Sequence, residues 1–532
     1  MTGTSRVDAF VTRAFVVLSV LLFAWTHRHA LTLPGFAEDI GLVHQLAASA
    51  DAGTVFDVVW ARTVGPLWGP GSTMWRPLGF ASLGFDALIY GDHAGRWHLT
   101  NLLLHGLAAA FTGLLARSLL RSPIAGAVAF ATALLHPWTA EITLWLVGRF
   151  DGWATAGMAL ALWAGLMSRC YDRWLLTSAL AGAVAYASKE STLLLPFGVA
   201  MMVAVDAIRW DHARHPSAAL FCQRLLERKN LVIIHVLLAA AYLAWRWFLF
   251  RNLGINVYSS APIHSVAEIA SRLGRHFEFF WSLATLAPVA SKLAASIALA
   301  LSLIAFARGN KWVGAMGTLW ALAVFLGAAL HFATDPGTGD GMRLYYLAAL
   351  GFALLIAAAF SGMPRRAGYA FAIAWMGALA IWQNEVNREW WQAARELKRA
   401  TVAISNEIKL MNPQDYGLVM LPDPIGHVPM ARNAQGAIMT EAQTLNPAID
   451  ALSRMVAMLP MQIDEWHGLM QQDVVRLITR RSDAPPRPTR YYCKELGSDQ
   501  LSYLGFWPPG TLIDWRAQWR EAGTEHCPSL KL

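Results

Sequence analysis

Ionisable and polar side chains recur between Trp75 and Glu190, inside an otherwise apolar stretch of the chain. Polar residues within or at the ends of membrane helices are costly, so a chain that keeps many of them is expected to use them. Basic residues that can hold a phosphate group and acidic residues that can accept a proton occur together here. This combination suits chemistry on a lipid-linked phosphate at one membrane face.

Four basic residues are candidates for binding a phosphate group. Lys189 lies in a Ser-Lys-Glu turn, and Arg343 begins a predicted helix. An arginine at a helix start is poorly placed for the helix dipole, so a nearby anion should compensate its charge. That anion is either Asp340 or a lipid phosphate. Arg76 and Arg149 complete the set.

Some of these cations also have a simpler interpretation as members of local ion pairs. Arg149 and Asp151 could pair with each other, and Lys189 and Glu190 could pair within a tight turn. Both interpretations stay open at this point.

An adjacent acidic pair, Glu38 and Asp39, follows the first predicted membrane helix. Its common interpretation is a solvated turn after Pro34 and Gly35. Its functional interpretation is a general base, or a metal ligand, that faces the bilayer. We take Asp39 and Glu38 as the candidate catalytic residues.

Further polar residues are expected to support such a site. His98, Asn101 and His105 are spaced so that a helix places them on one face within about 60°. The structural alternative is that they bond neighbouring helices, each contributing about 1 kcal/mol. The supporting set is His98, Asn101, His105, His136, Glu141, Asp151 and Glu190.

The elements that must position these residues are membrane helices. The chain has 532 residues, of which 56% are hydrophobic and 15% are charged. Apolar runs of about 20 residues recur, each long enough to cross a bilayer. We therefore predict a polytopic α-helical membrane protein. The predicted helices lie near 11–30, 98–120, 122–136, 151–169, 174–189, 191–208, 231–250, 288–307, 312–332, 343–361 and 368–384.

Basic residues in the loops predict the orientation of these helices. Alternate loops carry most of the arginine and lysine, as the positive-inside rule requires if the N-terminus is cytoplasmic. Eleven crossings then put the C-terminus outside, and the Arg/Ala-rich composition favours a bacterial inner membrane. The net charge of +8 is explained by these loops. No basic stripe with interleaved aromatics indicates nucleic acid as a partner.

Two large segments are predicted on the outer side. Residues 31–97 form the first outer loop of a membrane domain, 1–384, and include an apolar stretch, Leu78–Tyr90, expected as a helix on the membrane surface. Residues 385–532 are more polar and predict a periplasmic α/β or α+β domain. Cys493 and Cys527 lie in that domain, where a disulfide can persist.

The ordered polar motifs resemble those of GT-C glycosyltransferases, and in particular the protein O-mannosyltransferase-like branch. The motifs are W-R-P-L at 75–78, H-L-T-N-L-L-L-H at 98–105, H-P-W-T-A-E at 136–141, G-R-F-D at 148–151, S-K-E at 188–190 and M-R-L-Y-Y-L-A-A-L-G at 342–351. The likeness covers roughly residues 10–360. The 34-residue repeats found in some members of this branch are not evident after residue 385.

The resemblance implies a membrane enzyme that transfers a hexose from a polyprenyl-phosphate donor on the outer side. It assigns acceptor activation to Asp39, with Glu38 beside it, and donor-phosphate binding to Arg343. A protein, a lipid or a glycan remains open as the acceptor, and membrane lipids are expected partners. Some GT-C enzymes use a divalent metal, so Mg²⁺ or Mn²⁺ at Asp39 is left open. No other cofactor is implied.

Three alternative functions remain at this point. A transporter or flippase would use the polar residues as a substrate path, but predicts repeated halves and mid-membrane charges, which the sequence does not show. A non-catalytic scaffold would bind a partner through its outer domain and would tolerate substitution of Asp39 and Arg343. Another GT-C activity, on lipid A or an exported polysaccharide, has the same composition.

Overall fold

The structure is a computed structural model. It describes residues 6–68, 72–209, 218–251, 265–282, 303–304, 307, 310–331, 343–412, 415–425, 428–431, 435–446, 455–458, 488–508 and 525–530. Its contacts divide the chain into two compact units. The first unit comprises Met1–Leu31 and Leu46–Asn387, and the second comprises Thr32–Gln45 and Arg388–Leu532.

The chain is mostly helical, and its described α-helices are numbered here in chain order. They are α1 (Arg6–Thr26), α2 (Glu38–Asp51), α3 (Val55–Val64), α4 (Pro77–Tyr90), α5 (Ala94–Leu120), α6 (Pro123–Leu135), α7 (Ala140–Leu144), α8 (Arg149–Met167), α9 (Arg173–Tyr186), α10 (Leu195–Arg209), α11 (Ala218–Glu227), α12 (Lys229–Phe250), α13 (Val266–Ser282), α14 (Lys311–His331), α15 (Arg343–Phe360), α16 (Arg365–Leu410) and α17 (Gln435–Thr444). Short 3₁₀ segments occur at Ala30–Thr32, Pro137–Thr139, Leu146–Gly148 and Glu190–Leu194.

A helix occupies each predicted membrane segment that falls within the described residues. The helix ends are shifted by a few residues, except that the helix over 368–384 extends much further towards the C-terminus. The predicted segment 288–307 lies almost entirely outside the described residues. Helix α16 passes the predicted domain boundary after residue 384 and continues without interruption to Leu410. The division between the two units falls within this helix, after Asn387.

Five described helices are long and apolar enough to cross a membrane: Asp8–Thr32, Ala94–Leu120, Glu190–Ile208, Lys229–Phe250 and Lys311–Ala328. Three shorter apolar helices, Pro77–Tyr90, Pro123–Leu135 and Tyr345–Phe360, accompany them. These helices support an integral membrane protein.

Small residues let the helices of the first unit pack closely. Helix α5 packs against α6 and α8, and α15 packs against α14 and α6. A Cβ atom added at Gly113 of α5 would lie 2.9 Å from the carbonyl oxygen of Gly126 in α6. Gly317 and Gly351 make an even closer approach between α14 and α15. Close backbone contact of this kind is how membrane helices associate without a hydrophobic driving force.

The second unit contains a four-stranded mixed sheet. Its strands are β1 (Tyr416–Met420), β2 (Met455–Met458), β3 (Thr489–Cys493) and β4 (Ser502–Trp507), in the order β2-β1-β3-β4. Strand β1 runs parallel to β2 and β3, and β4 is antiparallel to β3. The central strand β1 is buried along its whole length, as expected for a continuous apolar run in a parallel pair.

Covalent and polar contacts close the second unit. The disulfide between Cys493 and Cys527 forms at the end of β3. The adjacent Lys494 is buried, and its Nζ lies 3.5 Å from Oε2 of Glu396. Burial lowers the pKa of Lys494, and Glu396 opposes that change. The segment Thr32–Gln45 joins this unit through a Phe36–Trp390 ring contact at 5.2 Å and a His44–Glu441 hydrogen bond of 2.8 Å.

Candidate active site

The connection between α6 and α8 is a buried irregular segment that Asn101 holds in place. The Nδ2 atom of Asn101, on α5, donates to the carbonyl oxygens of Ile142 and Trp145, both at 2.8 Å. Its Oδ1 accepts from Nε of Arg149 at 3.0 Å. Buried backbone carbonyls need partners, so this one amide fixes the segment that carries Glu141.

Gly148 is required at the end of this segment. A Cβ atom at Gly148 would lie 2.7 Å from the carbonyl oxygen of Glu141 and 2.8 Å from Cα of Ile142. Both are backbone atoms, so Gly148→Ala must displace the segment. We expect Gly148→Ala to lower stability by about 1–3 kcal/mol, the usual cost of overpacking.

Thermal unfolding of the purified protein in detergent measures this effect. Gly377→Ala is the matched control, because a Cβ there meets no described atom within 4 Å. Alanine favours helix over glycine, so this control should unfold at or slightly above the wild-type temperature. Equal unfolding temperatures for the two variants would contradict the packing argument.

The side chain of Arg149 is buried, and its guanidinium is bonded to other residues of the protein. Its side chain is 0% exposed, and its Nη1 lies 2.6 Å from Oδ2 of Asp86 on α4. The same guanidinium donates to the carbonyl oxygens of Ser82 and Trp97 at 3.1 and 3.0 Å. Because these partners already occupy its guanidinium, Arg149 is poorly suited to bind a substrate phosphate, and we do not propose the predicted phosphate-binding role for it.

Three other cations each pair with one carboxylate in the first unit. Arg76, at the start of α4, donates from Nε to Oε2 of Glu190 at 3.1 Å and from Nη2 to Oε1 at 2.5 Å. Lys189 donates from Nζ to both carboxylate oxygens of Asp151 at 2.6 Å. The third pair joins Arg343, the first residue of α15, to a glutamate of α7.

The third pair is the loosest. Nε of Arg343 lies 3.5 Å from Oε1 of Glu141, and the backbone N–H of Arg343 donates to Oε2 at 2.9 Å. The guanidinium also lies over the ring of Trp145, 4.5 Å from its centroid. Glu141 thus supplies the anion that the N-terminal arginine of a helix requires. The other predicted candidate, Asp340, lies outside the described residues.

The cations of the three pairs, Arg76, Lys189 and Arg343, interact electrostatically, and we call these three residues the cationic cluster. Burial lowers the pKa of Lys189, and Asp151 raises it. The charges of Arg76 and Arg343 lower that pKa further, so both lie within electrostatic range of Lys189. Their side chains are 6%, 9% and 14% exposed for Arg76, Lys189 and Arg343, so Arg343 is the most accessible.

The predicted histidines join elements of the first unit. Nδ1 of His98 donates to the carbonyl oxygen of Thr143 at 3.3 Å. His105 lies between the carbonyl oxygen of Leu134 at 3.0 Å and the hydroxyl of Tyr346 at 2.8 Å. These contacts match the alternative in which such residues bond neighbouring elements. His136 is also buried, where its Nδ1 accepts a weak hydrogen bond of 3.4 Å from the backbone of Trp138.

Glu38 and Asp39 form the first turn of α2. Asp39 is 0% exposed, and its backbone N–H donates to the carbonyl oxygen of Phe36 at 2.9 Å. The solvated-turn interpretation is therefore wrong for Asp39. Carboxylates in the first turn of a helix interact favourably with the helix dipole. Both residues belong to the second unit, and their catalytic role remains a prediction.

The simpler ion pairs suggested by the sequence are also wrong. Arg149 pairs with Asp86 rather than Asp151, and Lys189 pairs with Asp151 rather than with its neighbour Glu190. Sequence reasoning missed Asp86 as the partner of Arg149. The available signal was a lone acid in the apolar stretch Leu78–Tyr90, since an isolated buried carboxylate needs a cation.

Sequence analysis also missed Trp145, whose ring lies against the guanidinium of Arg343, because tryptophan is common throughout this chain and no single one stands out.

The described part of the chain contains no group of three or more His, Cys, Asp or Glu residues that could hold a metal ion.

No known protein family and no curated protein matches this sequence. Among solved structures, ArnT from Cupriavidus metallidurans bound to undecaprenyl phosphate is similar, with 14% identity, a TM-score of 0.43, and coverage of 90% of this chain and 92% of that chain. The apo state of the same protein gives 13% identity, a TM-score of 0.44 and the same coverage.

The oligosaccharyltransferase of Archaeoglobus fulgidus in its apo form gives 12% identity and a TM-score of 0.44. That match covers 81% of this chain and 65% of the archaeal chain. At these values the similarity defines neither the family nor the activity of the present chain.

Proposed function

We propose that this chain is a GT-C-like glycosyltransferase of the membrane, with about eleven crossings. It would transfer a hexose from a polyprenyl-phosphate donor to an acceptor hydroxyl on the outer side of a bacterial inner membrane. The observation that carries this proposal is the cationic cluster, in which three cations from different elements are each held by a carboxylate and the charges of Arg76 and Arg343 act on Lys189. The sequence motifs that contain these cations resemble those of GT-C enzymes and support the same activity.

The geometry of the cluster supports binding of a lipid phosphate. Arg76 precedes α4, Arg343 begins α15 and Lys189 precedes the 3₁₀ segment Glu190–Leu194. The N-terminal ends of helices carry partial positive charge and favour anions. The paired carboxylates fix the cations in position before substrate arrives, and preorganised charge is usually the largest catalytic contribution.

The three cations and their three carboxylates have a net charge of zero. To bind a phosphate, a cation must therefore leave its carboxylate and pair with the phosphate instead. Arg343 is the best suited, because its 3.5 Å separation from Glu141 is longer than the 2.5 Å and 2.6 Å of the other pairs. It is also the most accessible of the three. We propose Arg343 as the main donor-phosphate ligand, with Lys189 and Arg76 supporting it.

The proposed reaction is a displacement at the anomeric carbon of the donor sugar. The acceptor oxygen forms a bond to this carbon as the bond to the phosphate oxygen breaks. The polyprenyl phosphate leaves with the electron pair, and the cationic cluster stabilises its charge. Asp39 accepts the proton of the acceptor hydroxyl, a general-base role that the resemblance to GT-C enzymes implies for it.

The test uses purified protein in liposomes that contain a radiolabelled polyprenyl-phosphate hexose, together with a membrane extract that supplies acceptors. We expect label to move from the polyprenyl lipid into an extract component, and an equal amount of free polyprenyl phosphate to appear. Movement of the intact donor across the bilayer, with no release of polyprenyl phosphate, would instead identify a flippase and overturn the proposal.

A further inference from the structure

A second basic cluster, which shares no residue with the cationic cluster, lies where the ends of three helices of the first unit meet. Arg169 follows the end of α8, Asp206 lies in the last turn of α10, and Arg228 immediately precedes α12. Nη1 of Arg169 donates to Oδ1 of Asp206 at 2.6 Å. Arg228 reaches back to α8, where its Nη2 donates to the carbonyl oxygen of Gly165.

The carboxylate of Asp206 interacts with both arginines, since it accepts from Arg169 and its charge acts on Arg228. Both Arg169 and Asp206 lie within electrostatic range of Arg228. Two positive charges and one negative charge leave a net charge of +1 in this trio. Burial lowers the pKa of Arg228, and the positive charge of Arg169 adds to this effect. The trio therefore holds a guanidinium that a further anion would stabilise.

Arg228 also carries an unused donor. Its Nε–H is buried and has no hydrogen-bond partner among the residues that the structure describes. A buried donor without a partner is destabilising. A planar guanidinium that presents such a donor beside a second guanidinium matches the oxygens of a phosphate group.

The position of the trio indicates where that phosphate would come from. Asp206 lies in the last turn of one candidate membrane span, Glu190–Ile208, and Arg228 immediately precedes another, Lys229–Phe250. Residues at the ends of spans lie at the level of lipid headgroups. Basic pockets between membrane helices on the cytoplasmic side bind anionic headgroups, and the sequence predicts that this end is cytoplasmic.

We propose that Arg169 and Arg228 form a binding site for the phosphate group of an anionic phospholipid. The site is independent of the glycosyl transfer proposed above, since none of its residues belongs to the cationic cluster. A soluble phosphate ion has the same chemistry, and the experiment below separates the two sources.

The experiment compares thermal unfolding of the purified protein in detergent with added phosphatidylglycerol, phosphatidylethanolamine or inorganic phosphate. We expect phosphatidylglycerol to raise the unfolding temperature of wild type, and Arg228→Gln to weaken the apparent affinity about tenfold, the usual loss for a hydrogen bond to a charged group. Arg173→Gln is the matched control, because Arg173 is exposed and begins α9 at the same end. This control should respond like wild type.

Asp206→Asn keeps the proposal testable if Arg228→Gln does not fold. Removing the competing carboxylate should strengthen binding of phosphatidylglycerol, a gain that misfolding cannot produce. A response to inorganic phosphate equal to that of phosphatidylglycerol would assign the site to a soluble phosphate. Equal responses to the two phospholipids, or weaker binding in a folded Asp206→Asn variant, would overturn the proposal.

Discussion

Arg343→Ala is expected to reduce sugar transfer from a polyprenyl-phosphate donor by about 100-fold, the usual effect of removing one preorganised charge that stabilises a leaving group. Arg343 is the most accessible member of the cationic cluster and has the loosest ion pair. Its guanidinium is held over the ring of Trp145, so a replacement by lysine should recover only part of the activity. The measurement is the rate of transfer by purified protein at saturating acceptor.

Two further variants separate a catalytic loss from a structural one. Arg343→Ala leaves the buried carboxylate of Glu141 without its cation, which is destabilising by itself. Combining Arg343→Ala with Glu141→Gln removes that penalty and should restore the unfolding temperature while transfer remains low. Arg365→Ala, at an exposed arginine paired with Asp8, should leave the rate unchanged. Recovery of transfer in the double variant would show that Arg343 is only a structural residue.

Asp39→Asn is expected to reduce the rate by about 100- to 10,000-fold, the range for loss of a general base. The change keeps the size of the side chain and removes its ability to accept a proton. Asparagine is also tolerated at the start of a helix, so the fold should persist. The measurement is again the rate of transfer, with the unfolding temperature recorded in parallel.

Glu38→Gln is the matched control for this variant. Glu38 is the adjacent acid in the same turn of α2 and is partly exposed, whereas Asp39 is fully buried. If Asp39 is the base, Glu38→Gln should retain most of the activity. A large loss in Glu38→Gln together with a normal rate in Asp39→Asn would move the base to Glu38.

The helices could be predicted from the sequence, because apolar runs of membrane length are a local property. The buried strand β1 was also predictable, because a short apolar run such as Tyr416–Met420 is likewise a local property of the sequence. The sequence predicts a membrane helix at 368–384 and a helix at Glu385–Leu410, but not that the two form the single helix α16, because hydropathy falls after residue 384. Hydropathy reports burial in lipid and does not mark where a helix ends.

The ion pairs could not be predicted, because each joins residues far apart in the chain. Arg76 and Glu190 are separated by 114 positions, and Arg149 and Asp86 pair across α8 and α4. The motifs identified which residues were unusual, but only the packing of the helices determines their partners. The choice between Asp151 and Glu190 as the partner of Lys189 illustrates this limit, since the nearer residue in sequence is not the partner.

The central claim is that the cationic cluster binds a polyprenyl phosphate, and equilibrium binding of that lipid to protein in nanodiscs tests it most directly. The variants should be electroneutral replacements of whole pairs, Arg343→Ala with Glu141→Gln and Lys189→Met with Asp151→Asn, so that no buried charge is left alone. Wild type should bind saturably, and each double variant should bind at least about tenfold more weakly at an unchanged unfolding temperature. Wild-type affinity in both folded variants would contradict the account.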